Sequence, residues 1–204
     1  MQVRYFPIGG SGANCYLVKN SGAAVVIDPF DADNRVTAFL EENKGLERYI
    51  LLTHFHYDHI LGADKLRQLY GAKIVIGIKD APGLRDPALS LAKYVGLEQQ
   101  PFYADIIVEG GQRLKLGDDE FEVIHTPGHT AGSVCYKVDN VIFTGDTLFK
   151  DSVGRTDFPT GSYSDLMESL WKLRMLDGQE DIILYPGHGP ETTLKTEIAQ
   201  NPYM

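Results

Sequence analysis

Cysteine is nearly absent: the 204 residues contain two, Cys15 and Cys135, and neither belongs to a C-x-x-C pair. That argues against a disulfide scaffold, a zinc ribbon or a thioredoxin-type site, and leaves both thiols as small buried apolar groups. Long apolar runs are missing too, since no stretch approaches the roughly 18 residues that a membrane span needs. The opening Met-Gln-Val-Arg-Tyr-Phe-Pro lacks the basic segment and apolar core of a secretory leader. Basic charge is in deficit, with 19 Lys and Arg against 28 Asp and Glu and a net charge of −9. A chain built to grip a phosphate backbone shows the opposite sign, so nucleic acid is not the expected partner. No low-complexity tract or linker divides the sequence. The expectation is one cytoplasmic domain over residues 1–204, with no membrane association and an open oligomeric state.

What is present is an ordinary globular composition, 43% apolar and 23% charged. A chain of this length buries about 70% of its unfolded surface. Apolar patterning predicts strands at 3–8, 14–19, 23–28, 49–53, 73–78, 106–108, 120–125, 133–138, 141–144 and 182–185, with a turn at Asn20-Ser21-Gly22. A helix capped by Asp31 would carry Val36, Phe39 and Leu40 inward and stop at Gly45. Further helices are expected at 65–70, at 162–176 and near 194–199. In the longest, Ser162 is the cap, Leu166, Leu170 and Leu173 share a face, and Asp177-Gly178 ends the helix. Residues 80–102, interrupted by Pro82, Pro87 and Pro101, form a surface excursion with a helix over 86–95. That excursion is either outer packing or a cover over a substrate. Gly9-Gly10-Ser11-Gly12 reads as a turn, because a P-loop would continue into Gly-Lys-Ser/Thr and open a helix. The alternation of strands and helices points to an α/β layering. One weak echo runs through the chain: Cys15-Tyr16-Leu17-Val18 before Val25-Val26-Ile27-Asp28 resembles Cys135-Tyr136-Lys137-Val138 before Val141 to Asp146. It is either chance or the trace of two related halves with sheets packed face to face.

The histidines carry the chemistry. Thr53-His54-Phe55-His56-Tyr57-Asp58-His59 sets four nitrogen or oxygen ligands within six positions directly after a strand. Alternation of side chains sends His54 and His56 to one side, and Asp58 and His59 begin the next turn. His129, in Pro127-Gly128-His129-Thr130, Asp146, in Thr144-Gly145-Asp146, and His188, in Pro186-Gly187-His188-Gly189, also follow strands beside Gly or Pro. Rigid scaffolds place functional loops in such positions. Imidazole with carboxylate is the ligand set of zinc, iron or manganese rather than calcium.

In this combination the chain resembles the metallo-β-lactamase superfamily, through Thr53-His54-x-His56-x-Asp58-His59, then His129, Asp146 and His188, with Asp28 upstream. The resemblance implies a four-layer αβ/βα sandwich of two mixed sheets with outer helices and metals at one edge. It implies two divalent metal ions, zinc first, with iron or manganese as alternatives. His54, His56 and His129 would hold one, Asp58, His59 and His188 the other, and Asp146 would bridge them. Two metals about 3.5–4 Å apart can share a water, lower its pKa to roughly 7 and present a bridging hydroxide. Asp58 would orient that nucleophile or take a proton. His125 lies outside the set and reads as structural or as a brace for a ligand, and Asp28 as a support.

The stretch from Thr147 to Pro159 is similar to the single-domain, glyoxalase II-like branch, whose members hydrolyse thioesters such as S-lactoylglutathione. That resemblance implies a small glutathione-conjugate thioester as substrate. Arg155 would either grip a substrate carboxylate or brace its loop by pairing with Asp157, and Lys150 is a further substrate-binding candidate. The chain ends soon after His188, without the C-terminal helical region that completes the glutathione site in full-length glyoxalase II. The main alternative is a persulfide dioxygenase with one iron held by His56, His129 and Asp146. A lactonase or a non-catalytic metal-binding module are the others, and a tRNA nuclease or a β-lactamase fits less well.

Overall fold

The computed structural model describes residues 1–8, 12–176, 178 and 181–204. The turn expected at Gly9-Gly10-Ser11 and the stop expected at Asp177 therefore lie outside the described residues. A first sheet runs in sequential order through β1 (Gln2–Ile8), β2 (Ala13–Lys19), β3 (Ala23–Ile27), β4 (Glu47–Leu51), β5 (Lys73–Gly77) and β6 (Ile106–Val108). Pairing is antiparallel from β1 to β3 and parallel from β3 to β6. Parallel neighbours need crossovers. Here α1 (Asn34–Glu42) links β3 to β4, and α2 (Tyr57–Ile60) with α3 (Ala63–Tyr70) links β4 to β5.

The second sheet contains β7 (Arg113–Leu116), β8 (Asp119–His125), β9 (Val134–Val138) and β10 (Val141–Gly145). After a short ribbon, β11 (Leu148–Phe149) and β12 (Ser152–Val153), helix α4 (Tyr163–Arg174) leads to β13 (Ile183–Pro186) and β14 (Thr192–Thr193), and α5 (Leu194–Gln200) follows. The strand order is β14-β13-β10-β9-β8-β7, with β10 and β13 parallel. Both sheets are mixed, as the resemblance implied.

Side-chain alternation turns these two sheets into four layers. Cys15, Leu17, Val26, Ile50 and Ile74 point outward onto α1 and α3 with Val36, Leu40 and Leu66. Tyr16, Val25, Leu51 and Val75 point the other way and meet Phe121, Val123, Tyr136 and Phe143 of the second sheet. Ile124, Cys135, Ile142 and Leu184 then face Leu166, Leu170 and Leu173 of α4 and Leu194 of α5. Strands buried on both faces read as continuous apolar runs, and Val25-Val26-Ile27 and Ile74-Val75-Ile76 do. The hairpins β2–β3 and β9–β10 occupy matching places, each followed by a parallel partner. Cys15 and Cys135 sit in the two outer cores, free and fully buried. Burial pushes both thiols up, Cys135 to about 11, so neither is a poised nucleophile.

Several local expectations are corrected. The cap of α1 is Asp33, whose Oδ1 accepts from Arg35 N at 2.8 Å, and not Asp31. The helix stops at Asn43, whose amide donates to Phe39 O at 2.7 Å, before Gly45 is reached. No helix spans 86–95. The segment instead makes two 3₁₀ turns, Ala81–Arg85 and Ala92–Val95. Asp86 Oδ1 accepts from Ala88 N and Leu89 N, a side-chain turn that competes with helix, and Leu91 enters the left-handed region at φ 70. Strand β7 was not foreseen, because Arg-Leu-Lys-Leu is short, half-polar and at a sheet edge. The Ser162 cap on α4 is observed, its Oγ accepting from Asp165 N at 3.3 Å. Among the described residues, no helix is long and apolar enough to cross a membrane.

Candidate metal centre

The C-terminal ends of parallel strands open on one edge of the sandwich, where α/β sheets characteristically bind ligands. Asp28 follows β3, His54 and His56 follow β4, Asp80 follows β5, Asp146 follows β10 and His188 follows β13. The second sheet's loop after β8 adds His129, and the first turn of α2 adds Asp58 and His59. All seven expected ligands are brought together. Three groupings have ligand atoms within 4.8 Å of one another: His54, His56 and His129; His54, His59 and Asp146; Asp58, His59 and His188.

The hydrogen bonds around these rings set their orientation. His129 Nδ1 donates to the Arg155 carbonyl at 2.7 Å, which leaves Nε2 facing Asp146 Oδ2 at 3.4 Å. His59 Nδ1 donates to Asp28 Oδ2 at 3.0 Å, which leaves Nε2 facing Asp146 Oδ1 at 3.5 Å. His54 Nδ1 is 3.1 Å from Thr53 Oγ1. His188 Nε2 lies 3.4 Å from Asp58 Oδ2 and 3.6 Å from Asp146 Oδ2. His56 Nδ1 and His129 Nε2 converge to 2.8 Å. Ring nitrogens held from behind and aimed at a common point are how proteins present imidazole to a metal.

Four buried polar atoms in this cluster have no hydrogen-bond partner: Nε2 of His54, His56 and His59, and Oδ1 of Asp146. Each such atom costs about 1–3 kcal/mol, and a native fold carries few of them. A cation among His54 Nε2, His59 Nε2 and Asp146 Oδ1 removes that cost for those three, and His56 offers its other nitrogen, Nδ1, beside His129 Nε2, so the residues fit divalent metal ions. Burial and the neighbouring imidazoles push His54 down and His56 down to about 2, which keeps both neutral and able to offer a lone pair. Burial opposes charge on His59, but Asp146, Asp58 and Asp28 outweigh it and raise the ring to about 10. Burial would raise Asp58, yet His59 and His188 hold it below the usual carboxylate range. Gly187 is required here, since a Cβ would run into Asp146 Oδ1 and the His59 ring.

Two organising residues escaped the sequence reading. Asp80 is fully buried; its Oδ2 accepts from Phe55 N at 3.2 Å and Thr130 Oγ1 at 2.6 Å, and its Oδ1 from Gly132 N at 2.7 Å. One carboxylate thus ties the His54–His56 loop to the His129 loop. Burial outweighs these donors and pushes Asp80 up to about 7. The usable signal is an aspartate close behind a strand, three residues past the end of β5, where Asp28 and Asp146 follow β3 and β10 immediately. Asn14 is the second: its amide donates to Pro186 O at 3.0 Å and Gly189 O at 2.8 Å, latching β2 to the His188 loop.

The remaining candidates are placed as follows. Asp28, at φ 53, accepts from Thr53 N at 2.8 Å and Thr53 Oγ1 at 2.7 Å as well as from His59. His125 Nε2 donates to Ala131 O at 3.0 Å and so braces the His129 loop rather than a ligand nitrogen. Arg155 pairs with Asp157 through Nε at 2.6 Å and a terminal nitrogen at 2.5 Å, and its guanidinium lies 4.0 Å over the Phe158 ring. Lys150 is exposed where the β11–β12 ribbon turns and does not line the cleft.

A model of the metallo-beta-lactamase superfamily matches residues 8–188. The chain belongs to that superfamily. Among full-length superfamily relatives is a probable metallo-hydrolase of Bacillus subtilis, YqgX, 32% identical over 100% of this chain and 98% of its own. Another is a hydroxyacylglutathione hydrolase of Haemophilus influenzae, GloC, 34% identical over 100% and 98%. Of solved superfamily structures, the B3 metallo-beta-lactamase BLEG-1 superposes with a TM-score of 0.90 at 35% identity, covering 99% of both chains. TTHA1623 in a di-iron-bound form superposes at 0.86 with 34% identity, covering 98% of this chain and 100% of that one.

Proposed function

We propose that the chain is a metal-dependent hydrolase that cleaves thioesters of the S-lactoylglutathione kind. The observation that carries this reading is the convergence of buried ligand atoms, with His54 Nε2, His59 Nε2 and Asp146 Oδ1 left without hydrogen-bond partners and His56 Nδ1 drawn to 2.8 Å from His129 Nε2. His54, His56 and His129 would hold one divalent ion, Asp58, His59 and His188 a second, and Asp146 would serve both. Bound there, such ions supply Lewis acidity that polarises an acyl carbonyl and lowers the pKa of water to about 7. Zinc or iron suits these donors, and the di-iron form of a 34% identical structure supports iron.

The chain's own residues do the rest. Asp58 lines the cleft with Oδ2 3.4 Å from His188 Nε2, so its carboxylate would orient the attacking water by accepting a hydrogen bond from it. The Arg155 carbonyl and Asp28 fix the tautomers of His129 and His59. Asp80 holds the two histidine loops in register. The thioester assignment is supported by full-length similarity to GloC. A second reading, oxidation of a glutathione persulfide at one iron, is supported by the convergence of His56, His129 and Asp146 within 2.8 and 3.4 Å.

The test is S-lactoylglutathione hydrolysis by protein reloaded separately with zinc and with iron, with His129→Ala as control. Metal-dependent turnover lost in the variant supports the proposal. Turnover of glutathione persulfide with O₂ by the iron form, and no thioester cleavage by either form, replaces it with the second reading. A β-lactam in the same panel tests the likeness to BLEG-1.

A further inference from the structure

The cleft over the metal cluster has a volume of about 730 Å³. Its apolar lining comes from two segments: Leu91, Tyr94 and Val95 of the 80–102 excursion, and Phe149, Val153 and Phe158 after β10. Leu91 is 9% exposed, whereas Tyr94 and Val95 are 71% and 49% exposed. Large apolar side chains left open beside a reactive centre mark a ligand-contacting surface. The backbone underneath is unusual. Leu91 takes φ 70 and Gly96 φ 71, so left-handed residues bracket the 3₁₀ turn Ala92–Val95. A leucine adopts that conformation only when the surroundings impose it, and such strain concentrates at ligand clamps. Lys93 N to Pro87 O at 2.9 Å, Tyr94 N to Leu91 O at 3.0 Å and Leu97 N to Ala92 O at 3.0 Å hold the turn in place.

Charge completes the argument. Arg155 is the only Lys or Arg side chain among the described residues lining the cleft, and Asp157 and Phe158 already engage it. The walls therefore offer no uncommitted cation to a substrate carboxylate. A lactoyl group, with three carbons and a hydroxyl, would cover little of these walls.

We propose that Leu91, Tyr94, Val95 and Phe158 form a subsite for an uncharged, apolar acyl arm, so that the preferred substrates are thioesters of medium-length aliphatic or aromatic acids. This rests on the thioester reading above. The acyl arm lies along the apolar walls, and a charged thiol arm extends to the solvent mouth, where water screens its carboxylates.

The experiment uses one thiol and varies the arm. S-butyryl-, S-hexanoyl- and S-octanoylglutathione are compared with S-lactoylglutathione as substrates of the metal-loaded protein. The non-hydrolysable S-butyl-, S-hexyl- and S-octylglutathione are titrated by calorimetry. Burial of each methylene is expected to raise kcat/KM and thioether affinity about threefold to fourfold. The double variant Tyr94→Ser, Val95→Ser changes only exposed positions and should cut that dependence to roughly half on a logarithmic scale. Rates and affinities independent of chain length, or an unchanged dependence in the double variant, overturn the proposal. Chain-length-dependent binding with no cleavage of any thioester keeps the apolar subsite and overturns the thioester reading instead.

Discussion

Asparagine in place of Asp28 tests how this fold prepares a ligand. The carboxylate is buried and accepts three hydrogen bonds: from Thr53 N at 2.8 Å, Thr53 Oγ1 at 2.7 Å and His59 Nδ1 at 3.0 Å. An amide has nearly the same shape but only one oxygen. If that oxygen keeps Thr53 N, the NH₂ group faces the His59 Nδ1 proton. If it turns to His59, the NH₂ group faces the Thr53 amide. The first arrangement forces His59 to carry its proton on Nε2, the atom aimed at Asp146. The second leaves a buried backbone N–H without a partner, at about 1–3 kcal/mol. Loss of such an outer partner lowers metal affinity about 10–100-fold. The expected result is a selective weakening of the Asp58, His59 and His188 position, while His54, His56 and His129 still bind. Chelator competition with metal analysis reads this as a fall from two ions per chain toward one at limiting metal. Circular dichroism melts of the metal-free protein separate it from unfolding. The single tryptophan, Trp171, is 64% exposed on α4 and would report unfolding weakly. Two ions bound by Asp28→Asn as tightly as by the wild type would refute the assignment of His59's tautomer to Asp28.

Asp146→Ala should lose turnover by orders of magnitude, because carboxylate oxygens facing His59, His129 and His188 disappear together; near-normal steady-state rates would remove its shared role. Asp80, raised from 3.8 to about 7, holds a proton in the folded chain that the unfolded chain has already released between those pH values, so its contribution to stability falls as pH rises through that window. The full span corresponds to about 4 kcal/mol, and metal-free Asp80→Asn should lack this slope when denaturation is compared with the wild type from pH 4.5 to 7. Parallel pH profiles of the two proteins would count against it. Leu170→Ala empties part of the core under α4 and should cost about 2–5 kcal/mol in urea denaturation, without changing metal stoichiometry. A loss under about 1 kcal/mol would mean that α4 packs loosely there.

How much of this was legible along the chain depends on distance in sequence. The tight spacing of His54, His56, Asp58 and His59, the helical face of Leu166, Leu170 and Leu173, and the paired cysteine hairpins are local or periodic, and the structure shows each of them. The helix expected over 86–95 does not form, because apolar spacing says nothing of an aspartate turn at Asp86 or a left-handed Leu91. Sequence offers Arg155 either a substrate carboxylate or Asp157, and the structure shows the pair with Asp157.

The residue types and strand-end positions that sequence supplies determine the candidate ligands and the layering, because backbone period and side-chain chemistry are properties of short segments. Tertiary structure alone decided that Asp80 reaches Thr130 and Gly132, 50 and 52 residues away, and that Asn14 reaches Pro186 across 172. A buried carboxylate or amide must find donors and acceptors wherever the folded chain brings them. That choice is set by how two six-stranded sheets stack, which no local pattern encodes.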